Sequence, residues 1–416
     1  MNGTPNDSIF LNQRRYEEIA ENGVCSRDAF QRDRDRIMHS RAFRRMMHKT
    51  QIFNANMGDH FRNRLTHTLE VSQIARSIGK VLNLNDELIE AIALGHDLGH
   101  TPFGHVGEKT LHNMLMYGNG LEEVKIEEGF KHNFQSLRVV DDLESRCDNY
   151  PGINLTLAVR EGILKHTSLK TNNALVDFPK GHFENMNLES ESFTFEGQVV
   201  ALADEIAQCT HDIEDGVRSK LISFDMIRQD PFIQKITTEN GISLNEQTKT
   251  PTYDTRAFVI KSMVGYFIKD ACTTSMPQID AYIHSYTPNY SSLYNCINKK
   301  CILLSPEVEY HRKRIYKEMI ANRVICSEQI SISDAKSEYL IRQLFRAFYS
   351  HPKQLPDYVL EKYCRRNDME FNRANLKEDM LRKDPNFIRT ICDHISGMTD
   401  QFAAREYNHL YVPEYK

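Results

Sequence analysis

Apolar residues recur at helical spacing along most of this chain. Val71, Ile74, Ala75, Ile78 and Leu82 follow one another at three- and four-residue steps, which predicts a helix with a single inward stripe. His67 lies four residues before Val71, so it shares that face one turn earlier. Asn85 offers a cap for a second helix running to Gly95, with Leu88 and Ile92 on one side and His96 continuing it. Gly99, Pro102 and Gly104 then break the pattern, which places His100 and His105 on a loop or short turn. From 198 to 214, Val200, Asp204, Gln208 and Asp212 fall at four-residue intervals on one face of a third helix. Further helices are predicted over 10–22, 31–48, 107–117, 132–144, 154–166, 255–272, 306–325, 331–350 and 386–403. The stretch 231–253, rich in Thr, Asn and Gln, reads as loop or at most a short hairpin.

These elements give an all-α architecture with little or no strand, organised as one large helical domain with a C-terminal helical extension. A helical arm over 1–59, a core over 60–216 and a packed region over 217–416 are the expected divisions. The 416 residues suffice for a large core. A net charge of −5 and a pI near 6.4 argue against a protein built mainly to coat nucleic acid. Nine scattered cysteines without a C-x-x-C pair fit reduced thiols. No signal peptide or long uncharged apolar run is legible, so a cytoplasmic protein with no membrane partner is expected. Arginines between Arg27 and Arg45 alternate with Asp28, Asp33 and Asp35, as in a salt-bridged helix.

Chemistry concentrates in three segments. His67, the adjacent His96 and Asp97, and Asp204 offer two imidazoles and two carboxylates, a donor set for Mn, Mg, Fe, Ni or Zn. Neighbouring side chains on a helix diverge by about 100°, so His96 and Asp97 reach one ion only where the helix ends. Asp204, on an otherwise core-like stripe, is costly to bury unless paired or bound to a cation. A lone histidine on such a face is more often a hydrogen-bonded core residue; the joint pattern is what points to a metal.

The segments RLTHTLEVSQIARSI, ALGHDLGHTPFGHVGE and ALADEIAQCTHDIEDG resemble the three core motifs of the HD-domain deoxynucleoside triphosphate triphosphohydrolases. FQRDRDRIMHSRAFRRMMHKTQIF and DHISGMTDQFA resemble that family's flanking segments, so the likeness is dense over 27–215 and returns near 386–403. The resemblance implies an HD-domain helical fold that hydrolyses a dNTP to deoxynucleoside and tripolyphosphate. It implies one divalent ion per active site on His67, His96, Asp97 and Asp204, with His105 catalytic and Glu108 orienting it. It further implies substrate contacts from Gln51, Arg64, His100, His132, Gln208 and Asp212, a homo-oligomer, and a regulatory nucleotide or single-stranded DNA as a partner. Lys165 and His166 are candidates for phosphate, with a surface pair as the alternative. Glu108 alone reads equally as a carboxylate at a helix N-terminus.

One position departs from the family. Gln208 stands where a tyrosine usually packs against the sugar, which opens the deoxy-versus-ribo selectivity and the base preference. Two other readings stand beside the dNTP hydrolase: an HD-type phosphohydrolase for another nucleotide, and a non-catalytic sensor of nucleotide or nucleic acid with a structural metal.

Overall fold

The computed structural model describes residues 11–18, 27–53, 60–118, 121, 129–171, 174–175, 186, 188–244, 252–285 and 299–413. Among them are seventeen α-helices and one two-stranded ribbon, β1 (Lys170–Thr171) with β2 (Ala174–Leu175). The helices are α1 (Ala29–Met38), α2 (Arg41–Arg45), α3 (Arg64–Val81), α4 (Asp86–Gly95), α5 (Gly104–Tyr117), α6 (His132–Arg138), α7 (Leu157–Lys165) and α8 (Phe195–Arg218). They continue as α9 (Phe224–Gln229), α10 (Pro231–Glu239), α11 (Tyr253–Ser285), α12 (Pro306–Ile315), α13 (Glu328–Ser350), α14 (Asp357–Arg366), α15 (Glu378–Lys383), α16 (Pro385–Ser396) and α17 (Asp400–Tyr411). The all-helical expectation holds.

Two hydrophobic cores organise these helices. In the first, α3 packs along α4 and α8, α1 covers α4, and α7 fits between α4, α6 and α8. Val71, Ile74, Ala75 and Ile78, the stripe read from periodicity, are all at or below 1% exposed there. Helices α9 to α12 add to this core, so the region after 217 divides in its packing. The second core joins Leu111, Met114 and Leu115 of α5 to α13, α14 and α16. Helix α5 therefore looks both ways, carrying site residues at its start and second-core residues at its end.

Several boundaries differ from the sequence reading, each for a local reason. The predicted helix over 10–22 does not run through the described part of that range; residues 19–22 lie outside it. Instead Arg14 pairs in an antiparallel bridge with Thr156, and its guanidinium meets the fully buried Asp33 at 2.6 Å. The helix over 31–48 breaks at Ser40, whose hydroxyl accepts from Phe43 N at 3.1 Å and caps α2. The loop expected from 231 begins as helix α10, because Asp230 caps it and Pro231 occupies its first position. The helix over 386–403 is two helices that meet at Gly397, the second capped by Thr399.

The second core also fixes the loop that follows α4. Asp400, first residue of α17 and 4% exposed, accepts from Phe103 N at 2.9 Å and from Thr50 N at 2.8 Å, and also from the Thr50 hydroxyl. Phe103 and Gly104 both have φ near +60°, a left-handed pair that a phenylalanine adopts only under constraint. One carboxylate thus holds the turn that launches α5 and the residue beside Gln51. We predict that Asp400→Ala lowers unfolding stability by roughly 2–3 kcal/mol, because buried donors lose a charged acceptor. Urea unfolding checks it; a loss below about 0.5 kcal/mol, the scale of a neutral surface change, would contradict this role.

Candidate metal centre

The site forms where α3, α4 and α8 cross. Asn63 caps α3 through Thr66 N at 2.9 Å, which sets Arg64 and His67 in the first turn. Helix α4 ends at Gly95, so His96 and Asp97 leave the helix as the donor set required. Gly99 then passes so close to α6 that a Cβ there would lie 2.1 Å from Ser136 N. The Ser136 hydroxyl accepts from Gly99 N and donates to His96 O, both at 2.8 Å, locking the turn to α6.

Three donors converge. His67 Nε2 lies 2.9 Å from Asp204 Oδ1, and His96 Nε2 lies 3.9 Å from the same oxygen. These ligand atoms all fall within 4.8 Å of one another. His96 is fully buried, and its Nδ1 lies 2.7 Å from Ala93 O. A carbonyl only accepts, so the proton sits on Nδ1 and Nε2 carries a lone pair. That buried Nε2 has no hydrogen-bond partner. An orphaned imidazole nitrogen facing a carboxylate is what a divalent cation would satisfy.

His67 is set in the same tautomer by a neighbour. Its Nδ1 faces His211 Nδ1 at 3.4 Å, and His211 Nε2 lies 3.1 Å from the Glu70 carboxylate. Burial, reinforced by His67 and Arg62, holds His211 well below the usual imidazole value, so it is neutral. Its single proton goes to Glu70, its Nδ1 accepts from His67, and the His67 Nε2 lone pair turns to Asp204. Arg62 in turn holds Glu70 at 2.8 Å. Such outer partners orient metal-binding imidazoles.

Asp97 sits differently from the other three expected ligands. Its Oδ2 meets Arg64 Nη1 at 2.7 Å and its Oδ1 meets His100 Nε2 at 3.0 Å, with His96 Nε2 3.4 Å away. Burial would raise this carboxyl, but His100, His96 and Arg64 outweigh it and hold it well below its ordinary value. Arg64, expected on phosphate, thus spends one nitrogen on Asp97, while its buried Nε has no partner. Burial and the Arg64 guanidinium push His100 well down. Its neutral ring leaves a buried Nδ1 without a partner.

His105 stands at the rim, its side chain 69% exposed, with Nδ1 3.8 Å from Glu108 Oε2. The closer partner of that oxygen is His132 Nδ1, at 2.7 Å. Burial works against the Glu108 charge, but His132 and His105 overcome it and hold the carboxyl well below its usual value. His100 stacks on His132 with ring centroids 4.0 Å apart. Glu108 is therefore shared between an exposed and a buried imidazole, where the sequence reading assigned it to His105 alone.

The remaining expected contacts divide. Gln51 and Gln208 are half-buried, and the Gln51 Oε1 has no partner. Asp212 is 2% exposed with an unpartnered Oδ2. Burial, with Asp215 nearby, pushes its carboxyl well above the ordinary value. Lys165 corrects both of its readings, because it is buried and its three donors are taken by Glu161 at 2.9 Å, Ser190 at 3.0 Å and Glu191 O at 3.1 Å. No N–H remains for phosphate, and it is no surface pair. His166, its neighbour, faces the histidine cluster instead, with Nε2 3.2 Å from His132 Nε2. His211 and Glu70 were not singled out from sequence. Their signals were spacing alone: seven residues after Asp204 and three after His67.

A helical fold with histidine and aspartate donors at the crossing of three helices defines an HD-domain protein. Residues 64–208 match the HD domain family, and residues 302–409 match the phosphohydrolase-associated domain family. A deoxyguanosinetriphosphate triphosphohydrolase-like protein of Geobacter metallireducens is 37% identical over 96% of this chain and 92% of its own length. Its namesakes in Geobacter sulfurreducens and Thiobacillus denitrificans are 38% and 36% identical, over 93% and 97% of this chain and 89% and 96% of their own lengths. The chain belongs to this family of HD-domain phosphohydrolases.

Because His211 sets the tautomer of His67, His211→Ala is expected to weaken Mn²⁺ binding by about 10- to 100-fold. His211→Asn, which keeps an acceptor near the Nδ1 position, should recover most of it. Titration of Mn²⁺ by the EPR signal of the free ion reads both. Equal affinity in wild type and His211→Ala would show that Glu70 and His211 do not govern the donor.

Proposed function

We propose that this protein hydrolyses deoxynucleoside triphosphates between the 5′ oxygen and the α-phosphorus, releasing deoxynucleoside and tripolyphosphate. The observation that carries this reading is the buried, partnerless His96 Nε2 beside His67 and Asp204, with a solvent-exposed His105 over the half-buried Glu108 and the buried His132. The names of the relatives support the substrate class. One divalent ion held by His67, His96 and Asp204, with Asp97 alongside, would draw charge from the phosphate and lower the pKa of a nearby water.

The chain's own residues supply the rest. Water oxygen attacks the α-phosphorus as the bond to the 5′ oxygen breaks, and the departing oxygen takes both electrons and needs a proton. His105, exposed at the rim and backed by Glu108, is placed to deliver it. The Arg64 Nε, buried and unpartnered, offers a donor to a phosphate oxygen, and the unpartnered His100 Nδ1 offers an acceptor to a water or hydroxyl. Asp212, whose carboxyl burial pushes well above its ordinary value, leaves an unpartnered oxygen for a sugar hydroxyl. Gln208, one turn beyond Asp204, stands at the place where deoxyribose selectivity is decided in the family.

The partner readings are part of the proposal. A regulatory nucleotide or single-stranded DNA would meet a cavity of about 350 Å³ lined by Arg27, Arg32, Arg36, Arg41 and Arg44. Much of the nearby arginine charge is internally paired: Arg34 with Glu87 at 2.7 Å and Arg27 with Asp35 at 2.8 Å. No described helix is long and apolar enough to cross a membrane. A purely structural metal has no use for an exposed His105 on a half-buried carboxylate, which disfavours the non-catalytic reading.

Purified protein with Mn²⁺ and each dNTP should yield nucleoside and tripolyphosphate, resolved by chromatography and ³¹P NMR. In ¹⁸O-water the label should enter tripolyphosphate and not the nucleoside. His105→Ala is expected to lower kcat by about 10²–10⁴-fold with Mn²⁺ binding unchanged. Diphosphate or monophosphate as the released product would overturn the cleavage position.

A further inference from the structure

Lys49 carries an amine into the interior, where the residue is 3% exposed. Its Nζ donates to two main-chain carbonyls, His100 O and, at 2.8 Å, Ser396 O. The first lies on the loop between α4 and α5, the second at the end of α16. Burial, with the Arg45 and Arg64 guanidinium groups nearby, pushes this amine down to about 7, although Asp400 and Asp97 oppose the shift. The contact does not depend on the charge, because the ammonium has three N–H groups and the neutral amine still has two, one for each carbonyl.

The main chain of Lys49 is tied to the site as well. Arg64 N donates to Lys49 O at 3.2 Å, Thr50 pairs with Asn63 in an antiparallel bridge, and Gln51 follows directly. At the end of α16, Gln135 Nε2 donates to the Ser396 hydroxyl and to Asp393, both at 3.0 Å. Gln135 lies three residues after His132 on α6. The His100 and His132 rings, stacked with their planes 18° apart, are therefore both referred to Ser396. His100 is held to Ser396 O through Lys49, and His132 to the Ser396 hydroxyl through Gln135. His96 has its own supports in Ala93 O and Ser136.

We propose that Lys49 is a positioning residue that sets His100 for the substrate, by tying the loop between α4 and α5 to the end of α16 and so holding the His100 ring against His132. Its side chain acts through His100 and touches no reacting atom. The inference rests on the reading of this site as a nucleotide hydrolase. The atom whose placement the link decides is the buried, unpartnered His100 Nδ1. A misplacement of about 1 Å at such a contact is enough to cost up to about 100-fold in rate. The rival reading is a purely structural tie, whose loss lowers stability and leaves His100 where it stands.

Lys49→Met keeps nearly the length of the side chain and removes its donors. In a crystal structure of that variant the His100 ring is expected to leave its stack on His132, while His67, His96 and Asp204 stay in place; a ring still stacked at the wild-type separation overturns the proposal. Kinetics supply the second arm. Lys49→Met should lower kcat/KM for the best dNTP by about 10–100-fold. In a His100→Ala background the same substitution should change it by less than about 2-fold, because the ring it positions is gone. An equal loss in both backgrounds, or no loss in the single variant, overturns the proposal. Wild type that turns over no dNTP defeats the hydrolase reading instead, and the crystal structure then decides the role of Lys49 alone. Should Lys49→Met fail to fold, Lys49→Gln, whose amide nitrogen falls one bond short of Nζ, takes its place in both arms with the same outcomes.

Discussion

Lone pairs aimed at one buried point from three helices repel one another, and nothing in an apolar core relieves them. His67, His96 and Asp204 reach that point from α3, the end of α4 and α8, and His96 Nε2 is left with no protein partner. Leaving a carboxylate and imidazole lone pairs together away from water is costly, and a cation at the crossing would offset that cost. The helices bring that requirement about themselves. Capping by Asn63 fixes where α3 starts, Gly95 fixes where α4 stops, and Ser136 of α6 pins the turn that follows α4.

Around this point the hydrogen bonds do one job repeatedly: they put each imidazole proton on the nitrogen facing away. Ala93 O does so for His96 and His211 for His67, and Ile163 O does the same for the neighbouring His166. A neutral ring of fixed tautomer is the form a metal ligand needs. The second hydrophobic core contributes at a distance. Asp400 holds the left-handed turn at Phe103, and Asp393 grips Arg138 of α6 through two bonds of 2.8 Å to its guanidinium. Both residues belong to a late segment, and they position the turn that launches α5 with His105 and the helix that carries His132.

Much of this was legible in the chain, and the limits were physical. The stripes on α3 and α8 follow directly from three- and four-residue spacing, because those helices bury one face against a large core. Breaks were harder, since Ser40 and Gly397 interrupt stretches whose apolar period continues across them. Asp230 followed by Pro231 was a start signal that the polar composition after it obscured. Residues meeting across helices left the faintest trace. Glu70 reaches His211 only when α3 lies along α8, and His166 reaches His132 only when α7 packs on α6. Lys165 looked free because Glu161, four residues earlier, and the turn at Ser190 and Glu191 close on it only in the fold.

The central claim is that a cation occupies the crossing of α3, α4 and α8. Anomalous diffraction at the manganese edge from crystals grown with Mn²⁺ tests it most directly. The account predicts a peak roughly 2.0–2.2 Å from His67 Nε2, His96 Nε2 and Asp204 Oδ1. Well-ordered density at that crossing without an anomalous signal, with His96 Nε2 bonded to water or protein instead, would contradict it.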